Sequence, residues 1–199
     1  MRIVLATHNA HKVAELRRIL GPALDGLELV AYDGPEPIED GDTFEANALI
    51  KARAASAHTG LPALADDSGI CVDALGGAPG IHSARYAGTR NDGDNLELLL
   101  KNLVGVDDRG AQFACAAAFV VPAATGDARE FVELALWPGS VARARSGTEG
   151  FGYDPIFCPD GQSGTSADLS SDQKDALSHR AQAFAAIMPI VRAQLLGDS

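Results

Sequence analysis

The sequence predicts an α/β protein: a mixed central β-sheet flanked by helices. Two observations carry that expectation. Short apolar runs alternate with segments of helical period through the first half, whereas in the second half the strand-like runs follow one another more closely. The chain is also 199 residues long, 46% hydrophobic and 22% charged, which is ordinary for a globular protein with its own core.

Arg2–Ala6 is a short apolar run that predicts a buried strand. Val13, Leu16, Ile19 and Leu20 then repeat at helical spacing, so a helix is expected over Lys12–Leu20, stopped by Gly21-Pro22. Leu27–Tyr32 reads as a second strand, and the Pro-, Gly- and acid-rich stretch Asp33–Asp42 as a loop. Asp42-Thr43-Phe44-Glu45 resembles a capping box opening an Ala-rich helix that runs to about His58 and ends at Gly60. Leu61–Ala65 is expected to be a strand entering Asp66-Asp67-Ser68-Gly69, with Ile70–Leu75 as a second strand beyond it. Gly76–Gly93 reads as a glycine-rich connection, followed by a helix from about Asn95 to Leu103 capped by Asp94. Strands are expected at Ala111–Val121, Glu130–Trp137 and Ser140–Arg145, the first two split by a Pro/Ala/Gly turn. A loop over Gly147–Asp172 and a helix over Ser178–Leu196 complete the chain. No internal repeat or dividing linker is evident, so a single domain over residues 1–199 is expected.

Lys and Arg total 16 against 27 Asp and Glu, a formal charge of −11. That balance argues against a broad nucleic-acid surface, which needs a basic stripe. Cys71, Cys115 and Cys158 are odd in number and far apart, forming neither a disulfide framework nor a CxxC zinc pattern, and fit buried thiols in a reducing compartment. The first residues have no secretory pattern, and the longest apolar run is too short to span a bilayer. A cytoplasmic protein with no membrane or nucleic-acid partner is therefore expected.

Four constellations carry chemistry. Thr7-His8-Asn9-Ala10-His11-Lys12 joins a strand to a helix, a turn that aims backbone N–H groups and the positive helix end at an anion; the plainer alternative is a Thr7 or Asn9 cap with a solvated Lys12. Asp66 and Asp67 follow an apolar run, where two carboxylates repel unless a cation such as Mg²⁺ joins them, or where one of them caps an Asx-turn. Glu39-Asp40 offers a further carboxylate, and Asn47 and Lys51 share one face of the next helix. In Glu149–Pro155, glycines permit close backbone approach, while Phe151, Tyr153 and Asp154 suit stacking on and hydrogen bonding to a planar base, or simply cover the core edge. Lys174 and Ser178-His179-Arg180 place donors near a helix start, or a Ser178 cap with exposed basic neighbours. Walker, GxGxxG, HExxH and GxSxG patterns do not occur.

These segments together resemble the inosine triphosphate pyrophosphatase family, in its bacterial dITP/XTP branch. The resemblance rests on residues 7–12 (ThrHisAsnAlaHisLys), 39–41 (GluAspGly), 43–53 (ThrPheGluAlaAsnAlaLeuIleLysAlaArg) and 65–69 (AlaAspAspSerGly). It continues through 75–88 (LeuGlyGlyAlaProGlyIleHisSerAlaArgTyrAlaGly), 137–139 (TrpProGly), 150–157 (GlyPheGlyTyrAspProIlePhe) and 178–180 (SerHisArg). It implies two lobes with a cleft, a homodimer, and Mg²⁺-dependent hydrolysis of ITP, dITP or XTP to the monophosphate and pyrophosphate. By position, Thr7, His8, Asn9, Ala10, His11, Lys12 and Lys51 match the triphosphate-binding set. Glu39 and Asp67 match the metal carboxylates, Asp67 also the general base, with Asp66 as the other candidate for that role. Ser68, Phe151, Gly152, Tyr153, Asp154, Lys174, His179 and Arg180 match substrate contacts. His8, Ala135 and Ala181 depart from the family's usual glycines. Septum-inhibitor-like pyrophosphatases, acting on other modified or pyrimidine triphosphates, and a regulator that binds nucleotide without turnover are the rival readings.

Overall fold

The computed structural model describes residues 1–123 and 125–197. Among the described residues, six strands form one sheet in the order β2-β1-β3-β4-β5-β6: β1 Arg2–Leu5, β2 Glu28–Ala31, β3 Ala63–Val72, β4 Gly110–Val121, β5 Arg129–Val141 and β6 Phe157–Pro159. β1 pairs in parallel with β2 (Val4 opposite Val30) and with β3 (Val4 opposite Ala63), whereas β5 and β6 are antiparallel (Ser140 opposite Cys158). The sheet is therefore mixed, as expected. The helices are α1 Ala10–Leu20, α2 Phe44–Thr59, α3 Asp92–Asn102, α4 Ser171–Leu177 and α5 His179–Leu196.

The chain forms two compact units, Met1–Asp67 with Cys115–Ala135 and Arg180–Ser199, and Ser68–Ala114 with Leu136–His179. In the first, side chains alternate across the sheet with the two-residue period of extended backbone. Ile3, Leu5, Leu64, Cys115, Ala117 and Phe119 pack with Leu16 and Leu20 of α1 and Phe184, Ile187 and Val191 of α5. Their neighbours Val4, Ala6, Ala63, Ala65, Ala116, Ala118 and Val120 pack with Ala48, Ala52 and Ala55 of α2. That second layer is built almost wholly of alanine, so α2 lies close on the sheet and small errors in its placement matter. In the second unit, Ile70, Val72, Leu96, Leu99, Phe113, Trp137, Tyr153, Ile156 and Phe157 share one core. Each large side chain fully buried in these cores contributes roughly 1.5–3 kcal/mol.

Several boundaries differ from expectation. The quartet Asp66-Asp67-Ser68-Gly69 is not a turn between two strands: β3 runs through it unbroken for 10 residues. β5 likewise continues for 13 residues through Pro138, where two strands were expected. A proline offers no N–H to a sheet, and Pro138 contributes its carbonyl, which accepts from the Asp160 N–H at 3.0 Å. β6 falls inside the expected loop 147–172, and α4 starts at its end and runs on to Leu177, opened by a Ser170–Gln173 capping box. The caps of α2 and α3 are Thr43 and Asn91 rather than Asp42 and Asp94. The Pro/Ala/Gly turn after β4 includes Ala124, which lies outside the described residues.

Candidate functional site

The first unit gathers charge around the middle of β3. Strand parity decides how. Leu64 faces the α1/α5 layer and Ala65 the α2 layer. Asp66 therefore turns to α1 and α5, and Asp67 to α2. Their partners agree. Asp66 Oδ2 accepts from Lys12 Nζ at 2.8 Å and from Arg180 Nε and Nη2, each at 3.3 Å. Asp67 Oδ1 accepts from Lys51 Nζ at 2.8 Å, and its Oδ2 lies 3.5 Å from Asn47 Nδ2. The expected repulsion between adjacent acids is thus relieved by separating them, with a different cation on each side.

Opposite environments drive the two carboxyls apart. Burial alone would raise Asp66, but Lys12, Arg180 and Lys51 outweigh it and hold the group well below the usual carboxylate range. For Asp67 burial prevails over the opposing Lys51, and its pKa is raised. Burial lowers Lys51, yet Asp67, Asp66 and Glu39 together leave it raised, so its ammonium stays charged. Burial, with Asp66 adding to it, pushes the neighbouring Cys115 thiol up to about 12, which keeps it neutral and inert.

Glu39 reaches the same ammonium: its Oε2 is 3.5 Å from Lys51 Nζ. The loop that carries it is tied to α2, because the Gly41 N–H donates to Asn47 Oδ1 at 2.9 Å. A Cβ on Gly41 would come within 2.7 Å of Ala46 Cβ, so only glycine permits this approach. Glu39 and Asp67 therefore converge on one positive point with hard oxygen donors. Such a pair fits a divalent cation that draws its remaining ligands from water and substrate, as Mg²⁺ does. Among the described residues no group of three or more His, Cys, Asp or Glu is placed to hold a metal by itself.

The loop from β1 into α1 has a mixed outcome. His8, Asn9, Ala10 and His11 are exposed, as a ligand loop requires. Asn9 is also the helix cap, its Oδ1 accepting from the His11 and Lys12 N–H groups at 2.9 and 3.2 Å, while Thr7 Oγ1 accepts from the Asn9 N–H at 3.2 Å. The capping alternative holds for Asn9. It fails for Lys12, which is not a solvated residue but the partner of Asp66.

In the second unit, Asp154 organises its own loop. Its Oδ2 accepts from the Phe151 N–H at 2.8 Å and Lys174 Nζ at 2.5 Å, and its Oδ1 accepts from Ser166 Oγ at 2.7 Å. Gly150, with φ of +77°, presses against that carboxylate: a Cβ there would lie 2.1 Å from Oδ2. Lys174 Nζ stands 5.2 Å from the Phe151 ring centroid, a cation–π contact. The Gly152 N–H donates to Asp92 Oδ2 at 2.9 Å. Tyr153 is buried, and its hydroxyl donates to the Ser83 carbonyl at 2.9 Å. Ser83 Oγ in turn accepts from the Ile70 N–H at 3.0 Å, two residues beyond Ser68. His179 stacks on Phe113, with centroids 4.7 Å apart and planes 11° apart, and lies 6.2 Å from Trp137. The segment 80–85, given no role from sequence, thus buttresses both β3 and the Tyr153 turn.

One charged residue was missed altogether. Glu15, on α1, is 3% exposed and accepts from Arg180 Nη1 at 2.6 Å through Oε2. Its only sequence signal is its position three residues after Lys12, on the same side of the helix.

Comparison with known proteins places these features. A curated relative from Leifsonia xyli subsp. xyli, named dITP/XTP pyrophosphatase, is 56% identical over 196 residues, covering 97% of this chain and 96% of its own. The Ham1 protein of Staphylococcus aureus superposes with a TM-score of 0.86 at 35% identity, covering 98% of this chain and 100% of that one. The nucleoside-triphosphatase / dITP/XTP pyrophosphatase of Mycobacterium abscessus gives 0.75 at 46% identity, covering 96% and 100%. The profile of the Ham1 family matches residues 3–190, which takes in the strands from Ile3 onward, every site residue described above and the first two thirds of α5. With sequence, fold and profile in agreement over almost its whole length, the chain belongs to the Ham1 family.

Proposed function

We propose that this chain is a Mg²⁺-dependent nucleoside triphosphate pyrophosphatase that hydrolyses deaminated purine nucleotides, ITP, dITP and XTP, to the monophosphate and pyrophosphate. In this reading it is a single catalytic domain over residues 1–199, acting as a cytoplasmic homodimer that cleanses the nucleotide pool. The observation that carries it is the pair of lysine–carboxylate contacts on either side of β3, with Glu39 sharing Lys51. The names of the relatives support the substrate class.

Lys12 and Lys51 hold phosphate oxygens, assisted by the exposed backbone of residues 8–11. Asp67, the less buried of the two β3 carboxyls, orients a water for in-line attack on the α-phosphorus. The water oxygen bonds to that phosphorus, its proton passes to Asp67, and the α–β anhydride bond breaks to release pyrophosphate. A Mg²⁺ ion held by Glu39 and Asp67 supplies charge neutralisation at the phosphates. Asp66 is kept ionised by Lys12 and Arg180, which suits an anchor rather than a base.

Base recognition is assigned to Ser68, Phe151, Gly152, Lys174 and His179. Phe151 is half-buried and offers a ring for stacking, whereas Tyr153 and Asp154 are engaged in holding the loop. Donors from His179 and Lys174 meet the 6-oxo group of hypoxanthine or xanthine; Arg180, the other donor expected from sequence, is instead engaged by Glu15 and Asp66. Adenine presents an amino group there, leaving a buried donor without its acceptor, which selects strongly against it. The test is pyrophosphate release from ITP, dITP, XTP, ATP and UTP, with and without Mg²⁺. Preferential, Mg²⁺-dependent release from the first three is expected. A preference for UTP, or bound nucleotide without release, would overturn the reading.

A further inference from the structure

The charged side chains around Asp66 form a chain of contacts from Glu15 through Arg180 and Asp66 to Lys12. Lys12 and Glu15 leave α1 three residues apart; Arg180 is the second residue of α5; Asp66 comes from β3. Glu15 Oε2 takes Arg180 Nη1 at 2.6 Å, Arg180 Nε and Nη2 face Asp66 Oδ2 at 3.3 Å, and that same oxygen takes Lys12 Nζ at 2.8 Å. The Glu15, Arg180 and Asp66 side chains are 4%, 2% and 0% exposed. A fully buried guanidinium beside a single carboxylate would draw onto it as closely as geometry allows, because burial strengthens attraction and penalises unbalanced charge. Glu15 supplies the second anion. It draws one edge of the guanidinium away, so that Arg180 stays longer than an ideal charge-assisted bond from the oxygen that Lys12 also needs.

We propose that Glu15 is a positioning residue for the reaction, holding Arg180 back from Asp66 so that Lys12 keeps its place on Asp66 Oδ2. This rests on the functional reading above, in which Lys12 holds phosphate. Without the Glu15 charge, Arg180 competes for Oδ2 and displaces the Lys12 ammonium. A displacement of about 1 Å at a phosphate-holding group is enough to lower turnover by up to roughly 100-fold.

The experiment is a double-mutant cycle between Glu15→Gln and Lys12→Ala, reading kcat/KM for ITP, the Kd for inorganic tripolyphosphate and the thermal midpoint. Glu15→Gln is expected to fold, to lose roughly 10- to 100-fold in kcat/KM and to weaken tripolyphosphate binding. In the Lys12→Ala background the same change should remove less than about 2-fold further, because the group it acts through is gone. Glu15→Asp, which keeps the charge, should recover part of the loss. Losses that multiply across the cycle would overturn the proposal, since a residue that merely stabilises the fold acts independently of Lys12. So would undiminished activity and tripolyphosphate binding in Glu15→Gln, or the failure of both the Gln and Asp variants to fold. If the wild type releases no pyrophosphate from any triphosphate, the functional reading falls, and tripolyphosphate affinity across the same cycle still decides the role of Glu15.

Discussion

Asp66 and Asp67 are neighbours in sequence, but strand geometry turns them to different faces of β3, and their partners differ accordingly. Asp66 is buried against two cations and is held as an anion. Asp67 keeps a small exposed fraction, has Lys51 on one oxygen, and its proton affinity is raised by burial. A general base needs access to water, and of the two carboxyls Asp67 keeps the greater exposure, which supports the role proposed for it. Replacing it with Asn keeps size and polarity but removes the proton acceptor and one anionic oxygen. Asp67→Asn is expected to lower pyrophosphate release from ITP by roughly 100- to 10,000-fold. Lys51 keeps Glu39 at 3.5 Å as a counter-charge, so the fold should survive. Circular dichroism and a thermal midpoint within about 4 °C of the wild type would show it, that shift corresponding to about 1–2 kcal/mol in a chain of this size. Appreciable turnover in the folded variant would remove Asp67 from the base role.

At the scale of elements, α2 brings Lys51 and Asn47 to Asp67, and it does so because its buried face is alanine. Ala48, Ala52 and Ala55 are all fully buried against alanines of β3 and β4. Ala52→Leu adds three carbons to a layer with no room for them, so the helix must lift; the expected loss is about 1–3 kcal/mol of stability. The lift moves the adjacent Lys51 away from Asp67. kcat/KM should therefore fall by more than the folded fraction explains, which kinetics normalised to active protein would test. The same packing explains what was legible beforehand. The Ala-rich helix, its glycine stop and the parallel strands each announce themselves through local period and turn chemistry. β3 did not, because Asp-Asp-Ser-Gly carries four turn-favouring residues, and only cations delivered by α1, α2 and α5 make such a run affordable inside a sheet. β6 is three residues long, too short to show a period. Glu15 escaped notice since an acid on a helix ordinarily marks the solvent face, and its burial depends on an arginine 165 positions away. The individual candidate residues were legible as motifs; which partner each of them takes depended on elements remote in sequence.

For the molecule as a whole, the charge balance poses the last question. With 16 Lys and Arg against 27 Asp and Glu, the chain is a poor long-range attractor for a nucleoside triphosphate. The site does not reverse this locally. Around β3 the cations are Lys12, Lys51 and Arg180, three charges, and the anions are Glu15, Glu39, Asp66 and Asp67, four. Every lysine proposed to meet phosphate is already paired with a carboxylate. A triphosphate arriving alone would have to break those pairs within a site that is still net negative. A divalent cation held by Glu39 and Asp67 would change the sign of that balance and leave Lys51 available to phosphate. Binding and turnover should therefore fail together when metal is removed. Chelation with EDTA is expected to abolish pyrophosphate release and to weaken the calorimetric affinity for a non-hydrolysable ITP analogue, with Mg²⁺ restoring both. An affinity unchanged by EDTA would mean that the lysines alone hold the phosphates, and the pairing of Glu39 with Asp67 would then need a purpose other than metal.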